Sequence, residues 1–325
     1  MKTRWLGRLE VSAVGLGCVG MTSYYGQADE QETIATINLA LDLGVDFFDT
    51  ADRYGNGGNE ELLGRALSQR RRDAVVATKF GSINGPNGEP QVNGRPDYVA
   101  QACDASLRRL GSDWIDLYYL HRRDPAVAIE ETVGAMGRLV EQGKVRHIGL
   151  CEVGSETLRR AHATFPITAV QSEYSLWTRN PEGGMLDVCR ELGIGFVAFS
   201  PLGRGFLTGT LGDSKTFEAG DKRRELPRFS PENFQQNKIL LDELNLQAAN
   251  AGCKPAQLAL AWLLARADFI AAIPGTKRRR WLIENTKAAD LELSPSILGK
   301  LDALFQPAAI KGDRNAAAQM TALEG

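Results

Sequence analysis

The sequence has no arrangement of cysteine or histidine that would predict a disulfide framework or a metal centre. Its five cysteines, at positions 18, 103, 151, 189 and 253, are widely spaced, and no C-x-x-C pair occurs. Only three histidines are present, and none belongs to an H-E-x-x-H motif. We therefore predict no bound metal and a reducing compartment.

Long apolar runs and a strong charge of either sign are also missing. The N-terminus, MKTRWLGRLEVS, lacks the apolar core of about 7–15 residues that a signal peptide needs, and no run approaches the ~18 apolar residues of a membrane helix. The net charge is −2, so no general field draws nucleic acid or an anionic membrane to the protein. We expect a soluble, cytoplasmic protein that binds neither nucleic acid nor membrane.

Short apolar runs alternate with amphipathic stretches along the chain. The runs are rich in Val, Ile, Leu, Phe and Ala, which is typical of parallel strands buried on both faces. They lie at 12–18, 45–51, 74–80, 115–121, 147–152, 167–174, 195–201 and 269–275. The predicted helices lie at 30–43, 59–69, 97–110, 129–142, 155–164, 184–193, 233–250, 255–267 and 279–289.

Eight strand–helix units without a Pro/Gly/Ser-rich linker predict one α/β domain over residues 1–325, a (β/α)₈ TIM barrel. An N-terminal β-hairpin, TRW and LEV joined by LGR, is predicted to cap the bottom of the barrel. The loops at 81–96 and 203–232 are long enough to be functional or mobile. The tail from about 306 to 325 lacks periodicity, and we expect it either to be flexible or to cover the site.

Residues 15–20, GLGCVG, match the G-x-G-x-x-G fingerprint and raise a Rossmann alternative. In a Rossmann unit the helix begins within the glycine turn, where its N-terminus meets the pyrophosphate. Here MTSYYGQADEQ separates Gly20 from the first helical spacing. We therefore interpret GLGCVG as the first barrel strand leaving the core, with Gly15 and Gly17 required by close packing.

Four residues with catalytic chemistry follow three neighbouring predicted strands: Asp49, Tyr54, Lys79 and His121. Singly, each has an ordinary structural explanation, such as a turn, a snorkelling lysine or a core histidine. Together they suit carbonyl reduction at the C-terminal face of a barrel. Tyr54 would protonate the alkoxide, Lys79 would ease its ionisation while paired with Asp49, and His121 would polarise the carbonyl oxygen.

Several motifs resemble the aldo-keto reductase superfamily along nearly the whole chain. They are FFDTADRYGNGGNEELLGRAL, ATKFG, LGSDWIDLYYLHR, VQSEYSLW, SPLGRGFLTG and IPGTKRRRWLIEN. The branch that the chain resembles most contains pyridoxal reductases and perakine reductase. The resemblance implies that Asp49, Tyr54, Lys79 and His121 form the catalytic tetrad, with Tyr54 as proton donor, and that NADPH/NADP+ is the cofactor.

The resemblance also implies a set of cofactor contacts. Those at the nicotinamide are Cys18, Val19, Gly20, Asp49, Cys151, Gln171 and Tyr174, with Gln171 on the carboxamide and Tyr174 stacked on the ring. Those at the pyrophosphate are Ser200, Pro201, Leu202, Gly203 and Gly205, with Arg228 closing over it. Those at the 2′-phosphate and adenine are Gly275, Lys277, Arg278, Trp281, Glu284 and Asn285. One departure is Cys151–Glu152, where many relatives have Ser or Ser-Asn.

Three functional alternatives remain at this stage. The first is an NADPH-dependent reductase of aldehydes, with ketones as a further class; Lys277 and Arg278 favour NADPH because cations are otherwise unfavourable at a helix N-terminus. The second is a Schiff-base lyase with Lys79 as nucleophile, against which the neighbouring Asp49 and Tyr54 argue. The third is a slow or non-enzymatic cofactor-sensing subunit, since barrels of this superfamily also serve as potassium-channel auxiliaries. No face stands out as an oligomer interface.

Overall fold

Eight parallel strands form the central sheet in the computed structural model, which describes residues 1–22, 24–85, 89–212, 217 and 221–320. Parts of the predicted loops and the end of the predicted tail, residues 86–88, 213–216, 218–220 and 321–325, lie outside this range. The central strands are β3 (Leu16–Gly17), β4 (Phe47–Asp49), β5 (Val75–Phe80), β8 (Ile115–Leu120), β9 (Val145–Cys151), β10 (Ala169–Glu173), β11 (Gly195–Phe199) and β12 (Ile270–Ile273). Two antiparallel hairpins accompany them, β1 (Thr3–Leu6) with β2 (Leu9–Ser12), and β6 (Ser82–Asn84) with β7 (Pro90–Val92).

Helices follow the strands at nearly the predicted positions. They are α1 (Glu30–Asp42), α2 (Gly58–Leu67), α3 (Pro96–Leu110), α4 (Ile129–Glu141), α5 (Ser155–Thr164), α6 (Met185–Leu192), α7 (Pro231–Asn250), α8 (Pro255–Leu264), α9 (Arg279–Thr286), α10 (Pro295–Leu304) and α11 (Ala317–Met320). Local signals explain several starts: the Asp29 side chain accepts from two amides of α1, and proline opens α3, α7, α8 and α10. In the part of the chain that the structure describes, no helix is long and apolar enough to cross a bilayer.

The first and last strands of the sheet meet, and this closes the barrel. The amide of Gly15 donates to the carbonyl of Ala272 over 2.8 Å, and the amide of Ala272 donates to the carbonyl of Ala13 over 3.0 Å. Gly17 continues the seam with a bond to the carbonyl of Pro274. The predicted (β/α)₈ barrel is thereby confirmed.

Side chains alternate between the barrel interior and the helical layer. On β11, Val197 and Phe199 face the interior, whereas Phe196 and Ala198 pack under the helices. This period of two also brings Lys79 on β5 and Gln171 on β10 to the inner face. The interior positions at the carboxyl ends of the strands therefore surround one opening, which we call the mouth.

The N-terminal hairpin closes the opposite end of the barrel, as predicted. Leu6 is fully buried among interior residues such as Phe47 and Leu117. A Cβ on Gly195 would lie only 2.3 Å from the Cα of Leu6, so only glycine fits there. The hairpin thus forms a packed plug at the bottom.

The GLGCVG segment is a strand that leaves the core, and the Rossmann alternative is wrong. Only Leu16–Gly17 is regular strand, a 3₁₀ turn covers Val19–Thr22, and α1 does not begin until Glu30. A Cβ on Gly15 would meet the carbonyl of Phe47 at 2.8 Å, and one on Gly17 would meet that of Ile273 at 2.8 Å. The first two glycines are therefore required by packing, whereas Gly20 has ordinary space around it.

Candidate active site

The four predicted catalytic residues converge at the mouth from adjacent elements. Asp49 ends β4, Lys79 lies near the end of β5, and His121 follows β8. Tyr54 begins the 3₁₀ turn Tyr54–Gly57, directly after β4. Because β4, β5 and β8 are neighbours in the sheet, their ends place these side chains together.

Lys79 is the centre of the cluster. Its ammonium forms an ion pair with Asp49 and donates to the backbone carbonyl of Thr50 over 2.8 Å. The Tyr54 hydroxyl lies 3.5 Å from the same nitrogen. Burial acts to lower the pKa of Lys79, but Asp49 raises it further, so the amine stays charged at neutral pH. A charged, hydrogen-bonded lysine is a poor nucleophile, which argues against the Schiff-base alternative.

The Tyr54 phenol is protonated at neutral pH. Burial raises its pKa to about 12, and the Lys79 ammonium acts in the opposite direction with a smaller effect. Lys79 therefore lowers the pKa of Tyr54, as the sequence predicts, but desolvation of the phenolate raises that pKa by more. The side chain enters the mouth as a neutral hydroxyl that is ready to donate.

His121 stands beside Tyr54 as a neutral imidazole. Their rings lie 5.9 Å apart between centroids at an interplanar angle of 82°. Burial lowers the pKa of His121 well below its usual range, and the charges of Arg122 and Lys79 act in the same direction. Its Nδ1 atom is buried and finds no partner among the described residues.

Gln171 and Cys151 lie on the inner face next to Asp49. The Gln171 amide donates to the second carboxylate oxygen of Asp49 over 2.7 Å, which fixes the carboxylate that Lys79 also holds. This bond leaves the amide oxygen of Gln171 as an acceptor. Burial raises the pKa of Cys151 to about 12, so the thiol is neutral. Both residues lie where the sequence predicts the nicotinamide end of a cofactor.

The structure does not bring Tyr174 to the mouth. Its ring is completely buried on the outer side of the barrel, against Phe196 and Trp262, and its hydroxyl donates to Glu182 over 2.7 Å. A stacking role on a ring bound in the mouth therefore does not fit this side chain. Phe199 is the aromatic side chain that ends β11 on the inner face, and it is only partly buried.

Sequence reasoning passed over Phe199 because FVAFSP reads as a uniform apolar run. The alternation of faces along β11 is the signal that could have found it. Phe199 pairs in register with Glu173, two residues beyond Gln171, and so belongs to the inner layer at the mouth.

The loop after β11 has a curled backbone with several left-handed residues. Ser200 has a φ of +49° and Arg204 a φ of +54°, a conformation that residues other than glycine rarely adopt. Gly203 and Gly205 lie in the same region of backbone space. Pro201 and Leu202 are buried between them. Strained backbone of this kind is frequent at ligand clamps.

Arg228 is predicted to close over a pyrophosphate, but in the structure its guanidinium bonds to other groups of the protein. Its guanidinium donates to the carbonyl of Trp177, to the Thr178 hydroxyl over 2.7 Å and to the carbonyl of Gly312 over 3.1 Å. Only 9% of the residue is exposed. These contacts fasten the loop and the C-terminal segment together and occupy the guanidinium.

Two glutamates and two arginines form a buried cluster beside the mouth. Arg314, from the C-terminal segment, makes two hydrogen bonds to Glu152 of 3.1 and 2.6 Å. Arg204 lies 2.9 Å from the Glu173 carboxylate and also donates to the backbone carbonyl of Arg314. The described part of the predicted tail therefore packs over the ends of β9 and β10. Glu152 is fully engaged by this cluster, since its carboxylate accepts from Arg314 and from the amide of Glu173.

The loop before α9 carries cations that reach across to the loop after β3. The Lys277 ammonium donates to the backbone carbonyls of Tyr25, Gly26 and Gln27. Two residues further on, Arg279, the first residue of α9, pairs with Glu32 on α1 at 2.8 Å. Lys277 thus joins the two edges of the cleft between the first and last strands.

The remaining predicted contacts lie around this cleft. Gly275 and Arg278 are exposed, Trp281 and Glu284 are half-buried, and Asn285 is buried. Cys18 is buried at the end of β3, where its amide donates to the carbonyl of Asp49, and Val19 and Gly20 are half-buried after it. The roles predicted for these residues at a nicotinamide, a pyrophosphate and a 2′-phosphate stay predictions.

The chain was compared with known proteins. The model of the aldo/keto reductase family matches residues 13–306. The aldo-keto reductase yakc [NADP(+)] of Schizosaccharomyces pombe is 44% identical over 318 residues, 96% of this chain and 94% of that protein. Among solved structures, the glycerol dehydrogenase AKR11B4 of Gluconobacter oxydans is 27% identical with a TM-score of 0.85, over 94% of this chain and 96% of that one. An aldo/keto reductase of Klebsiella pneumoniae in complex with NADP and acetate is 28% identical with a TM-score of 0.74, over 97% and 99% of the two chains.

The chain therefore belongs to the aldo/keto reductase family.

Proposed function

We propose that this aldo/keto reductase reduces aldehydes, and ketones as a further class, to alcohols with NADPH, and that Tyr54 is the proton donor. The observation that carries the proposal is the cluster of a neutral phenol, a charged lysine held by a carboxylate and a neutral imidazole at one opening. The names of the yakc relative and of the Klebsiella pneumoniae complex, which specify NADP(+) and NADP, support the choice of cofactor.

When NADPH is bound, it would supply a hydride to the carbonyl carbon of the substrate. The carbonyl oxygen then becomes an alkoxide, and Tyr54 donates its hydroxyl proton to that oxygen. The Lys79 ammonium, 3.5 Å from the phenol oxygen, stabilises the phenolate that this transfer leaves. Asp49 keeps Lys79 charged and directed at Tyr54.

His121 orients the carbonyl before transfer. A neutral imidazole carries one N–H donor, and a donor aimed at the carbonyl oxygen stabilises the negative charge that develops there. A histidinium at this position would compete with Tyr54 as the proton donor, and the lowered pKa of His121 removes that competition. Tyr54 is then the acid in the cluster.

The described residues also fit the shape and charge of a dinucleotide phosphate. Gln171 offers an amide oxygen to the carboxamide, the Phe199 ring offers a face to the nicotinamide, and the amides after Ser200 suit the pyrophosphate. Lys277 and Arg278, at the start of α9, suit the 2′-phosphate, where the helix N-terminus adds to their attraction.

Replacement of Tyr54 with Phe tests the proton donor. We expect the rate of NADPH oxidation with a panel of aromatic, aliphatic and sugar-like aldehydes to fall by about 10²–10⁴-fold, the usual contribution of general acid catalysis. NADPH binding, followed by fluorescence titration, should stay close to that of the unchanged protein. Activity that survives in Tyr54→Phe would assign the acid to another group. No turnover by the unchanged protein with any carbonyl, despite tight NADPH binding, would favour the cofactor-sensing alternative.

Replacement of Lys277 with Ala tests the choice of NADPH. We expect Kd for NADPH to rise by about tenfold or more and Kd for NADH to change much less, because a charge-assisted bond to a phosphate contributes about 1.5–3 kcal/mol. Lys287→Ala is the matched control, since Lys287 is an exposed lysine at the opposite end of α9. Equal losses for both cofactors in Lys277→Ala would show that this side chain only holds the loop at Tyr25–Gln27.

A further inference from the structure

A cavity of about 300 Å³ lies behind the loop that carries Tyr54. It opens between the loop after β4, the β6 strand and one face of α3, away from the cleft of the proposed cofactor path. Its lining residues are Asp52, Arg53, Asn56, Ser82, Ile83, Asn84, Tyr98, Gln101, Ala102, Ala105 and Arg109. The proposed reduction assigns no role to this space.

The lining carries hydrogen-bonding groups of every kind. Amides come from Asn56, Asn84 and Gln101, hydroxyls from Ser82 and Tyr98. Charges of both signs are present, since guanidinium groups face the same space as the Asp52 carboxyl. Arg109 is already paired with Glu60 at 2.6 Å, so its charge is balanced. The wall therefore favours neither a free anion nor a free cation, and its polarity disfavours an apolar ligand.

Asp52 supplies an acceptor that the described part of the protein does not use. Its Oδ1 atom is buried and has no hydrogen-bond partner among the described residues. Burial raises the pKa of Asp52 to about 7, and the nearby Glu60 carboxylate acts in the same direction. A buried oxygen of this kind costs free energy unless a donor reaches it. The Asp52 carboxyl therefore adds a polar group to the wall of the cavity, while its Oδ1 atom lies below the surface.

The walls of the cavity connect directly to the catalytic loop. Arg53, next to Tyr54, donates to the Ser82 hydroxyl over 2.8 Å. Asn84 donates to the side chain of Asn56 over 3.3 Å, and Asn56 itself has a left-handed φ of +51°. These two bonds tie the Tyr54 loop to β6 on both sides of Tyr54.

We propose that this cavity is a second binding site for a neutral, hydroxyl-rich ligand of about monosaccharide size. Hydroxyl groups both donate and accept, so one ligand can bond to the guanidinium of Arg53 and to the amides of the wall together. Tyr98 provides an aromatic surface for the C–H face of such a ligand. The volume is at the lower end for small-molecule pockets, about 300–1,000 Å³, and suits a single ring.

The test is a thermal-unfolding titration with myo-inositol and with methyl β-D-glucopyranoside. Neither probe has a carbonyl, so a reductase does not turn it over. We expect a rise in Tm of about 2–4 °C that saturates as the site fills. A polyol that acts only by exclusion from the surface raises Tm without saturation.

Two substitutions on α3 localise the effect. Ala105→Trp fills the cavity, whereas Ala100→Trp places the same side chain on an exposed position of the same helix outside it. Gln101→Leu removes one amide from the wall at an exposed position and so serves if Ala105→Trp fails to fold. The saturable rise should persist in Ala100→Trp, vanish in Ala105→Trp and require more probe in Gln101→Leu. A saturable rise that persists in Ala105→Trp, or an unsaturable rise equal in all variants, or no rise at all, would overturn the proposal.

Discussion

Lys79 holds a full charge at a position where water does not reach it. Its side chain is 1% exposed and that of Asp49 is 3% exposed, so each ion depends on the other. Such a pair contributes little to stability relative to apolar residues, but removal of one partner strands the other charge. The cluster is therefore stabilised as a unit. The Lys79–Asp49 ion pair both stabilises the fold here and holds the side chains in the arrangement proposed for catalysis.

At this scale we expect Lys79→Met to lower the free energy of unfolding by about 3–5 kcal/mol, because the Asp49 carboxylate is left buried without its counter-ion. Asp49→Asn should be similarly costly, since it leaves the buried ammonium unpaired. The double variant Asp49→Asn/Lys79→Met should lose much less than the sum of the two. Urea unfolding of the four proteins measures this, and strict additivity would mean that the two groups do not stabilise each other.

The C-terminal segment around Arg314 packs against the elements that surround the mouth. The Arg314 side chain bonds to Glu152, which follows β9. The backbone carbonyls of Arg314 and Gly312 accept hydrogen bonds from Arg204 and Arg228, respectively, in the segment after β11. The segment therefore forms part of the wall of the site. The extent of the domain toward residue 325 stays a prediction, because the last five residues lie outside the described range.

At the scale of elements we predict that Arg314→Ala destabilises the protein far more than Arg159→Ala. Both arginines contact a glutamate through two bonds, but the Arg159–Glu191 pair is about half exposed, whereas Arg314 and Glu152 are buried. We expect a loss of about 3–5 kcal/mol for the first and a far smaller loss for the second, because solvent screens the exposed pair. Chemical denaturation gives both values, and losses of equal size would place Arg314 in effective contact with solvent.

Elements were predictable from the sequence where the pattern is local. The period of apolar residues predicts α3, α4 and α5 to within a residue or so. The clustering of Asp49, Tyr54, Lys79 and His121 was predictable because the carboxyl ends of parallel strands share one face. The roles of these residues and of the cofactor contacts stay predictions that the experiments above address.

Pairings between distant parts of the chain were not predictable from one sequence. Tyr174 follows β10 directly, but the strand's alternation turns it outward, and only the packed structure shows Trp262 against it. Arg228 finds its partners at Thr178 and Gly312, 50 and 84 residues away. Alternation along a strand gives the direction of a side chain, but its long-range partners depend on how the helices settle on the sheet, which no local pattern encodes.

The molecule as a whole is a closed layer of strands with one end plugged and the other open for chemistry. Interior side chains fill the lower part of the barrel, and Leu6 of the hairpin packs directly against Gly195. Interiors packed this tightly respond even to a single added methyl group. The position of the hairpin is thus coupled to the shape of the sheet.

For the whole molecule we expect Gly195→Ala to lower the free energy of unfolding by about 1–3 kcal/mol, the usual cost of overpacking, because its Cβ would lie 2.3 Å from the backbone of Leu6. Gly299→Ala is the matched control: a Cβ there meets nothing within 4 Å, and the position lies inside α10. That change should be neutral or stabilise by about 0.5–1 kcal/mol. The measurement compares the urea-unfolding midpoints of Gly195→Ala and Gly299→Ala with that of the unchanged protein. Equal shifts of the two midpoints would mean that the hairpin is not packed against β11.

The seam between β3 and β12 also determines when the protein can finish folding on the ribosome. Seven of the eight barrel strands have been synthesised by Phe199, but β12 begins only at Ile270. Until that strand leaves the exit tunnel, β3 and β11 are two open edges of an unfinished sheet, with unpaired amides and exposed apolar side chains. The nascent chain therefore passes through a long aggregation-prone interval, in which binding of a chaperone would protect it most. This interval ends only when the backbones of Ala13, Gly15 and Ala272 form their hydrogen bonds.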